Sequence, residues 1–462
     1  MSRRLPFLFL NVAHFLTHYF LLIFPTAVLA IHREWGAPYG ETLSLGTAAF
    51  VALALGTLPA GWLGDRWRRS HLIVIFFLGL GGASILAGFA AGPLTLAAGL
   101  ALIGLFAAIY HPVAIAAVVQ LAEGSGRAIA VNGVWGNMGF AGAALVTGLL
   151  TEALGWRMAF IVPGIVAILL GIAAALFMGR SVDIVRASGK QPAAATADRR
   201  RAVLRVFVFI AVSAVFGGLV FNGITVALPK LFEEQLGSWS GDIGRVGVLT
   251  ALAFALAAFA QLPVGALLDR HGARPVAVTI LVLQVPLLVL VGQAFGPAAL
   301  PVAIGALLLV FGEIPVADWL LGRYVAGPWQ SRVYAVSDLG GLGVSVIAVP
   351  AIAFLHELSG GFALMFLLLG AAAAAAGVAA LWLPGCREAA VAHPLESNLS
   401  PPARRRSPPS DSTQVDNVNQ LIQLDDFLMH EVVLQNRDSG PATPFLTPPP
   451  AWPYTHRSGW RS

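Results

Sequence analysis

The chain has 462 residues, of which 57% are apolar and only 11% charged. With 23 acidic and 28 basic side chains and a mean hydropathy of +0.79, it has too little charge to solvate a globule of this size, which excludes a soluble cytosolic enzyme and predicts a membrane location. The formal net charge of +5 comes from arginines clustered between apolar runs, a topology signal that argues against nucleic acid as a partner, and the single Cys386 permits neither an intramolecular disulfide nor a cysteine-based zinc site.

A membrane-spanning helix needs about 20 apolar residues. Twelve such runs follow one another, at 6–31, 43–63, 72–91, 95–120, 129–151, 158–178, 206–229, 246–267, 275–294, 300–322, 333–355 and 362–384. The first, preceded by Arg3 and Arg4 and ending in Val28-Leu29-Ala30, mimics a signal peptide, but it is too long and holds two histidines, so it is read as span one. Its Asn11, His14 and His18 are spaced i, i+3, i+7 and share one helical face.

Span two is followed by Gly61-Trp-Leu-Gly-Asp65-Arg66-Trp67-Arg68-Arg69. A short turn of this kind offers the Asp65 carboxylate to the positive amino end of a neighbouring helix and the guanidinium groups of Arg66 and Arg69 to acidic partners, contacts able to form and break as a latch. Anchoring by positive charge alone accounts equally for the arginines, though not for Asp65. Span four carries Tyr110, His111 and Pro112; the proline removes an amide donor, frees the carbonyl of Ala108 and predicts a bend there. Gly133, Gly136, Gly139 and Gly142 form a close-packing ridge in span five.

The longest internal connection, 179–205, holds Arg180, Arg186, Lys190, Arg199, Arg200, Arg201 and Arg205 and divides the spans six and six. With the amino terminus cytoplasmic, inward segments up to Arg387 carry 18 Lys and Arg and outward ones four, namely Arg33, Arg157, Lys230 and Arg245, which places both termini inside. Beyond this connection Asn222 lies in span seven, and Gly265-Ala-Leu-Leu-Asp269-Arg270, continuing to Gly272 and Arg274, repeats the earlier loop 204 residues on. Arg127, Ala130 and Val131 recur as Arg332, Ala335 and Val336, and Pro112 has its counterpart in Pro315, expected to bend span ten by freeing the carbonyl of Phe311. The expectation is an all-α membrane protein of twelve transmembrane helices in two six-helix bundles, 1–178 and 206–387, joined by the basic linker 179–205.

An ionisable group in mid-bilayer costs about 2.5–3.5 kcal/mol on insertion scales, so those present are candidates for function. Besides the histidines they are Glu313 and Asp318 in span ten and Asp338 in span eleven, with Asp318–Arg323 and Arg332–Asp338 equally well read as structural pairs. Each histidine has a structural alternative, an imidazole bonded to a carbonyl of another helix. Glu313 stands near the midplane with no basic residue near it in sequence, which suits a carboxylate that loads and releases a proton; His18 and His111 are the next candidates for proton carriage. No arginine lies deep in spans one, four, seven or ten, against a phosphate- or nitrate-type site. Nothing in the sequence matches a nucleotide-binding loop, a zinc-protease helix or a nucleophile elbow, so no cofactor and no enzymatic activity are expected. Residues 388–462 are polar and proline-rich and are expected to form a disordered cytoplasmic tail. Within it Val418, Leu421, Ile422, Leu424, Leu428 and Val432 have the spacing of a short amphipathic helix; an inert tail is the leading reading and docking of a protein partner the alternative. Asn398-Leu399-Ser400 matches a glycosylation sequon on the cytoplasmic side and is discounted.

The loop at 61–69, its second copy at 265–274 and the six-plus-six repeat resemble the major facilitator superfamily, over residues 1–385. His14-Phe-Leu, Tyr110-His111-Pro112, Gly126-Arg127 and Gly136-Asn137-Met138-Gly139 resemble its fosmidomycin-resistance antiporter branch. The first loop has Arg68 where the family has a glycine. The resemblance implies alternating access, a central cavity lined by spans one, four, seven and ten, and therefore by Asn11, His14, His18, Tyr110, His111, Asn222 and Glu313. It also implies an Asp65 latch near span eleven that holds the outward-facing state, with Gly61, Asp269, Arg270 and Arg274 in the paired gating loops. Proton-coupled efflux of small organic compounds across a bacterial inner membrane is the leading expectation. Uptake of a metabolite or metal ion, and a non-transporting sensor or scaffold, are the alternatives.

Overall fold

The computed structural model describes residues 4–121, 126–178, 197–324 and 330–385. Fifteen α-helices are described: α1 (Arg4–Trp35), α2 (Tyr39–Ser44), α3 (Thr47–Arg66), α4 (Arg69–Gly88), α5 (Pro93–Ala107), α6 (Tyr110–Leu121), α7 (Gly126–Leu154) and α8 (Trp156–Phe177), then α9 (Ala197–Gln235), α10 (Ile243–Ala258), α11 (Gln261–His271), α12 (Ala273–Val291), α13 (Ala299–Tyr324), α14 (Gln330–Ser359) and α15 (Ala363–Ala380). Eleven segments among the described residues are long and apolar enough to cross a membrane; the remaining expected span, 333–355, lies within α14. The fold is two six-helix bundles. The first part of the basic linker, 179–196, and the whole tail from 388 lie outside the described residues.

Helix packing here inverts the pattern of a soluble bundle, because lipid rather than water covers the outside. In α8 the buried stripe is mostly small (Ala159, Gly164, Ala167, Gly171, Ala174), whereas Ile165, Leu169, Ile172 and Leu176 are exposed. That stripe lets α8 approach α4 until a β-carbon on Gly81 would sit 2.5 Å from the carbonyl oxygen of Gly164. Ser84 Oγ donates to the Phe160 carbonyl, 2.7 Å away, across the same seam. The two halves meet chiefly where α7 lies along α10 and α3 along α14. Gly148 and Gly247 bring the first pair together: a β-carbon on Gly247 would stand 2.5 Å from the carbonyl oxygen of Ala144.

The predicted bend in span four is a full interruption, since α5 ends at Ala107 and α6 begins at Tyr110, at the carbonyl that Pro112 frees. Its counterpart behaves differently: α13 runs unbroken through Pro315. The second interruption is in span eight, where Pro263 separates α10 from α11 at Phe259 and Ala260. The loop copies also differ. Gly272 turns the chain alone with φ 79°, in the left-handed region, whereas Arg68 at the equivalent place is extended (φ −67°) and shares a two-residue turn with Trp67.

Candidate functional site

Asn11, His14 and His18 project from one face of α1 toward α6 and α7, as their spacing requires. The residue that organises them is Asn132 of α7, which is almost fully buried. His14 Nδ1 donates to the Asn132 carbonyl oxygen at 2.8 Å and lies 3.1 Å from its Oδ1. That Oδ1 also accepts from Tyr110 Oη at 3.2 Å, while Asn132 Nδ2 donates to Asn11 Oδ1 at 2.9 Å. Thus the structural alternative for His14, a bond to a carbonyl of another helix, is realised, and three helices share one hydrogen-bonded network.

Around it the rings pack closely. His14 stacks on Tyr110, centroids 4.7 Å apart and planes 20° from parallel. A β-carbon on Gly136 would lie 2.5 Å from His14 Nε2 and 2.6 Å from both Cδ2 and Cε1; this near-equal spacing sets Gly136 over the opposite ring face, not in line with the Nε2 lone pair. Gly139 and Gly142 continue the contact against Phe15, so three of the four ridge glycines seat α7 on α1. His111 of α6 completes a triangle of imidazoles with centroid separations of 5.2, 5.7 and 5.8 Å.

His18 stacks on Phe140 of α7 at 4.7 Å. Phe140 in turn meets Phe221 of α9 at 5.6 Å, Phe254 of α10 at 5.8 Å and Phe311 of α13 at 5.6 Å. Four phenyl rings from four helices therefore close the centre of the contact between the halves.

Glu313 is not brought into the histidine cluster. It stands two residues, about 200° of helical rotation, from Phe311 and so faces away from the phenyl rings. Its carboxylate lies over Gly217 of α9, where a β-carbon would meet Oε1 at 3.0 Å, with Ser213 and Gln284 as polar neighbours. Neither neighbour reaches hydrogen-bond geometry: Ser213 Oγ and both amide atoms of Gln284 are buried without a partner. Glu313 makes no ion pair among the described residues. Asn222 is also apart from the histidines, accepting from Ser345 Oγ of α14 at 2.9 Å and donating to the Gly218 carbonyl at 2.8 Å.

At the loop end of the bundles, Asp65, Arg66, Asp269, Arg270 and Arg274 are exposed and Arg69 is buried; Gly61 faces Pro112. Arg66 lies over the Trp62 ring at 4.1 Å, and Asp269 accepts from Trp319 Nε1 at 3.1 Å. Asp65 has no ion pair among the described residues. Asp318 is exposed, and the side chains of Arg323, Arg332 and Asp338 lie outside the described residues.

The opposite end carries a charge network absent from the sequence expectations. Arg33 of α1 pairs with Glu233 of α9, Lys230 bridges Glu233 and Glu234 at 2.5 and 3.4 Å, and His356 of α14 meets Glu234 at 2.9 Å. Arg157 pairs with Glu34 at 2.8 Å, and Trp156 Nε1 donates to the same carboxylate. Three of the four basic residues that depart from the inside bias are thus neutralised by carboxylates, and α1 is tied to α9 of the other half.

The profile described as Major Facilitator Superfamily matches residues 8–241 and 210–455. Over 146 residues, 31% of this chain, the sequence is 35% identical to a puromycin resistance protein of Streptomyces alboniger, covering 29% of that protein. Over 262 residues it is 27% identical to a probable 4-methylmuconolactone transporter of Cupriavidus pinatubonensis, covering 53% of this chain and 58% of the relative. The matched stretches therefore span less than two thirds of either relative. Among solved structures, a peptide transporter superposes with a TM-score of 0.65 at 15% identity, over 81% of this chain and 93% of that one. A bacterial homolog of the human lysosomal transporter Spinster, inward-facing and unoccupied, superposes with a TM-score of 0.59 at 15% identity, over 87% of this chain and 99% of that one.

Proposed function

The chain belongs to the Major Facilitator Superfamily and is a multi-pass membrane transporter, not an enzyme; from that premise we propose that it exports small organic compounds in exchange for protons, by alternating access. The bundles 1–178 and 206–387 rock as units about the glycine contact of α7 with α10, joined by the cytoplasmic linker 179–205. The charge network holds shut the end of α1, α9 and α14, and at the other end Asp65 makes no ion pair among the described residues, so this state is read as open to the cytoplasm. Both termini and the paired loops then lie on that side of a bacterial inner membrane. The puromycin resistance relative and the resemblance to the fosmidomycin-resistance branch favour efflux.

The observation that carries the coupling is Glu313, a carboxylate inside an apolar span with no ion-pair partner among the described residues and with Ser213 and Gln284 as its polar neighbours. A group so placed carries a proton in one state and gives it up where the cavity opens to water. Glu313→Gln retains the shape but cannot exchange a proton, so uphill transport driven by a pH gradient in proteoliposomes should fall to background. Exchange of substrate between equal concentrations, which moves no net proton, should persist. Gradient-driven transport surviving in the variant would remove Glu313 from this role and leave His18 or His111 as the next residue to test.

A further inference from the structure

We propose that His14, His18 and His111 form a binding site for a divalent transition-metal ion of the zinc class, bridging α1 and α6. The three side chains each offer a ring nitrogen, and these atoms all lie within 4.8 Å of one another. Nitrogens of a tetrahedral zinc site, with Zn–N of about 2.0–2.1 Å, stand about 3.3 Å apart, so nitrogens 4.8 Å apart need draw in by about 1.5 Å. Rotation of His18 and His111, both partly buried, supplies movement of that size.

Two further features point to a ligand and not to a packed aromatic core. His14 Nδ1 faces two oxygens of Asn132, so it carries the hydrogen; this leaves Nε2 as the lone pair, with the ring held between Tyr110 and Gly136. An outer-shell acceptor that fixes the tautomer in this way is what a metal-binding histidine requires. His18 and His111, by contrast, make no hydrogen bond among the described residues and pack against other rings. Imidazole nitrogens in a span are costly unless water or a ligand meets them, and three that converge on one point suit a shared cation. No carboxylate joins the group among the described residues, so the fourth position is left to water or an anion.

The site has a mechanical consequence. His111 follows directly on the interruption at Ala108 and Ile109, whereas His14 and His18 stand on the continuous α1. A bound cation ties α6, on one side of that break, to α1 and so slows any transport step in which α6 swings about the break.

The test uses the full-length chain in detergent, free of any histidine tag, titrated with Zn²⁺ against a chromogenic chelator. One equivalent should bind, with affinity lowered in both His18→Gln and His111→Gln by more than the about 10–100-fold that loss of an outer-shell partner costs. His71→Gln, at an exposed position on α4, should bind as the parent does. X-ray absorption of the unaltered chain with one equivalent of zinc should show three imidazoles at about 2.0–2.1 Å, a readout that does not depend on the variants folding. Absence of binding, affinity unchanged in both triad variants, or scattering without the three imidazoles would overturn the proposal. Because binding is measured without transport, Glu313→Gln should leave it intact whatever becomes of proton coupling.

Discussion

The two halves descend from one pattern but spend their prolines differently. Pro112 interrupts span four while its counterpart Pro315 lies in an unbroken α13; Pro263 interrupts span eight while Pro59, 204 residues earlier, lies in an unbroken α3. The polar interiors diverge as well. Among the described residues the first half joins His14, Tyr110, Asn11 and Asn132 in one hydrogen-bonded network, whereas the second sets Glu313 beside Ser213 and Gln284, whose hydrogen bonds are unmet, and keeps Asn222 apart on Ser345. Internal repetition fixes where helices run, and single substitutions then decide which of them bend and what chemistry they bury.

The largest expected departure comes from the paired network. Asn132→Leu strands the Tyr110 hydroxyl and the Asn11 amide oxygen, at a cost of about 1–3 kcal/mol each, and should lower the melting temperature in detergent markedly. An unchanged melting curve would mean that water already serves those groups. Next comes the asymmetry of the breaks. Pro112→Ala restores an amide donor to the Ala108 carbonyl, worth about 0.5–1.5 kcal/mol, so amide exchange at residues 108–112 should slow by up to roughly tenfold. Pro315→Ala, in a helix already continuous, should slow exchange less; equal slowing would show that both helices open alike.

Where the halves meet, Glu233→Gln removes the partner of Arg33 and one of the two carboxylates of Lys230. A loss of about 1 kcal/mol, some fivefold in population, should favour opening at that end, seen as faster cysteine labelling from outside. Labelling that stays the same would detach the network from gating. The smallest effect is expected at Gln284, whose amide is buried and unpartnered: Gln284→Met should leave stability within about 0.5 kcal/mol or raise it, whereas a clear loss would make it a working partner of Glu313.

Much of this architecture was legible from runs of apolar residues. The spans fall where the runs do, because a bilayer asks for little beyond length and apolarity; the shared face of Asn11, His14 and His18 follows from helical spacing, and the break at Ala108 from Pro112. Asn132 was missed because attention to spans one, four, seven and ten passes over span five, and because its partner His14 is 118 residues away. The phenyl cluster was hidden for another reason: with lipid outside, a phenylalanine facing the core and one facing the bilayer leave the same trace in sequence. Helical spacing could have warned that Glu313 turns away from Phe311. The network of Arg33, Arg157 and Lys230 was half visible, as the basic residues on the side where few are expected.

The four phenyl rings where the halves touch have a consequence for energy conservation. Rings without a polar atom offer no stepping stone to a hydrogen ion, and a membrane at 100 mV drives each elementary charge with about 2.3 kcal/mol. A continuous file of water from the imidazoles to the carboxylate would dissipate that force as a leak. On the proposed exchange for protons, Phe140, Phe221, Phe254 and Phe311 would serve instead as an electrical insulator, with charge crossing only as the helices carrying them move.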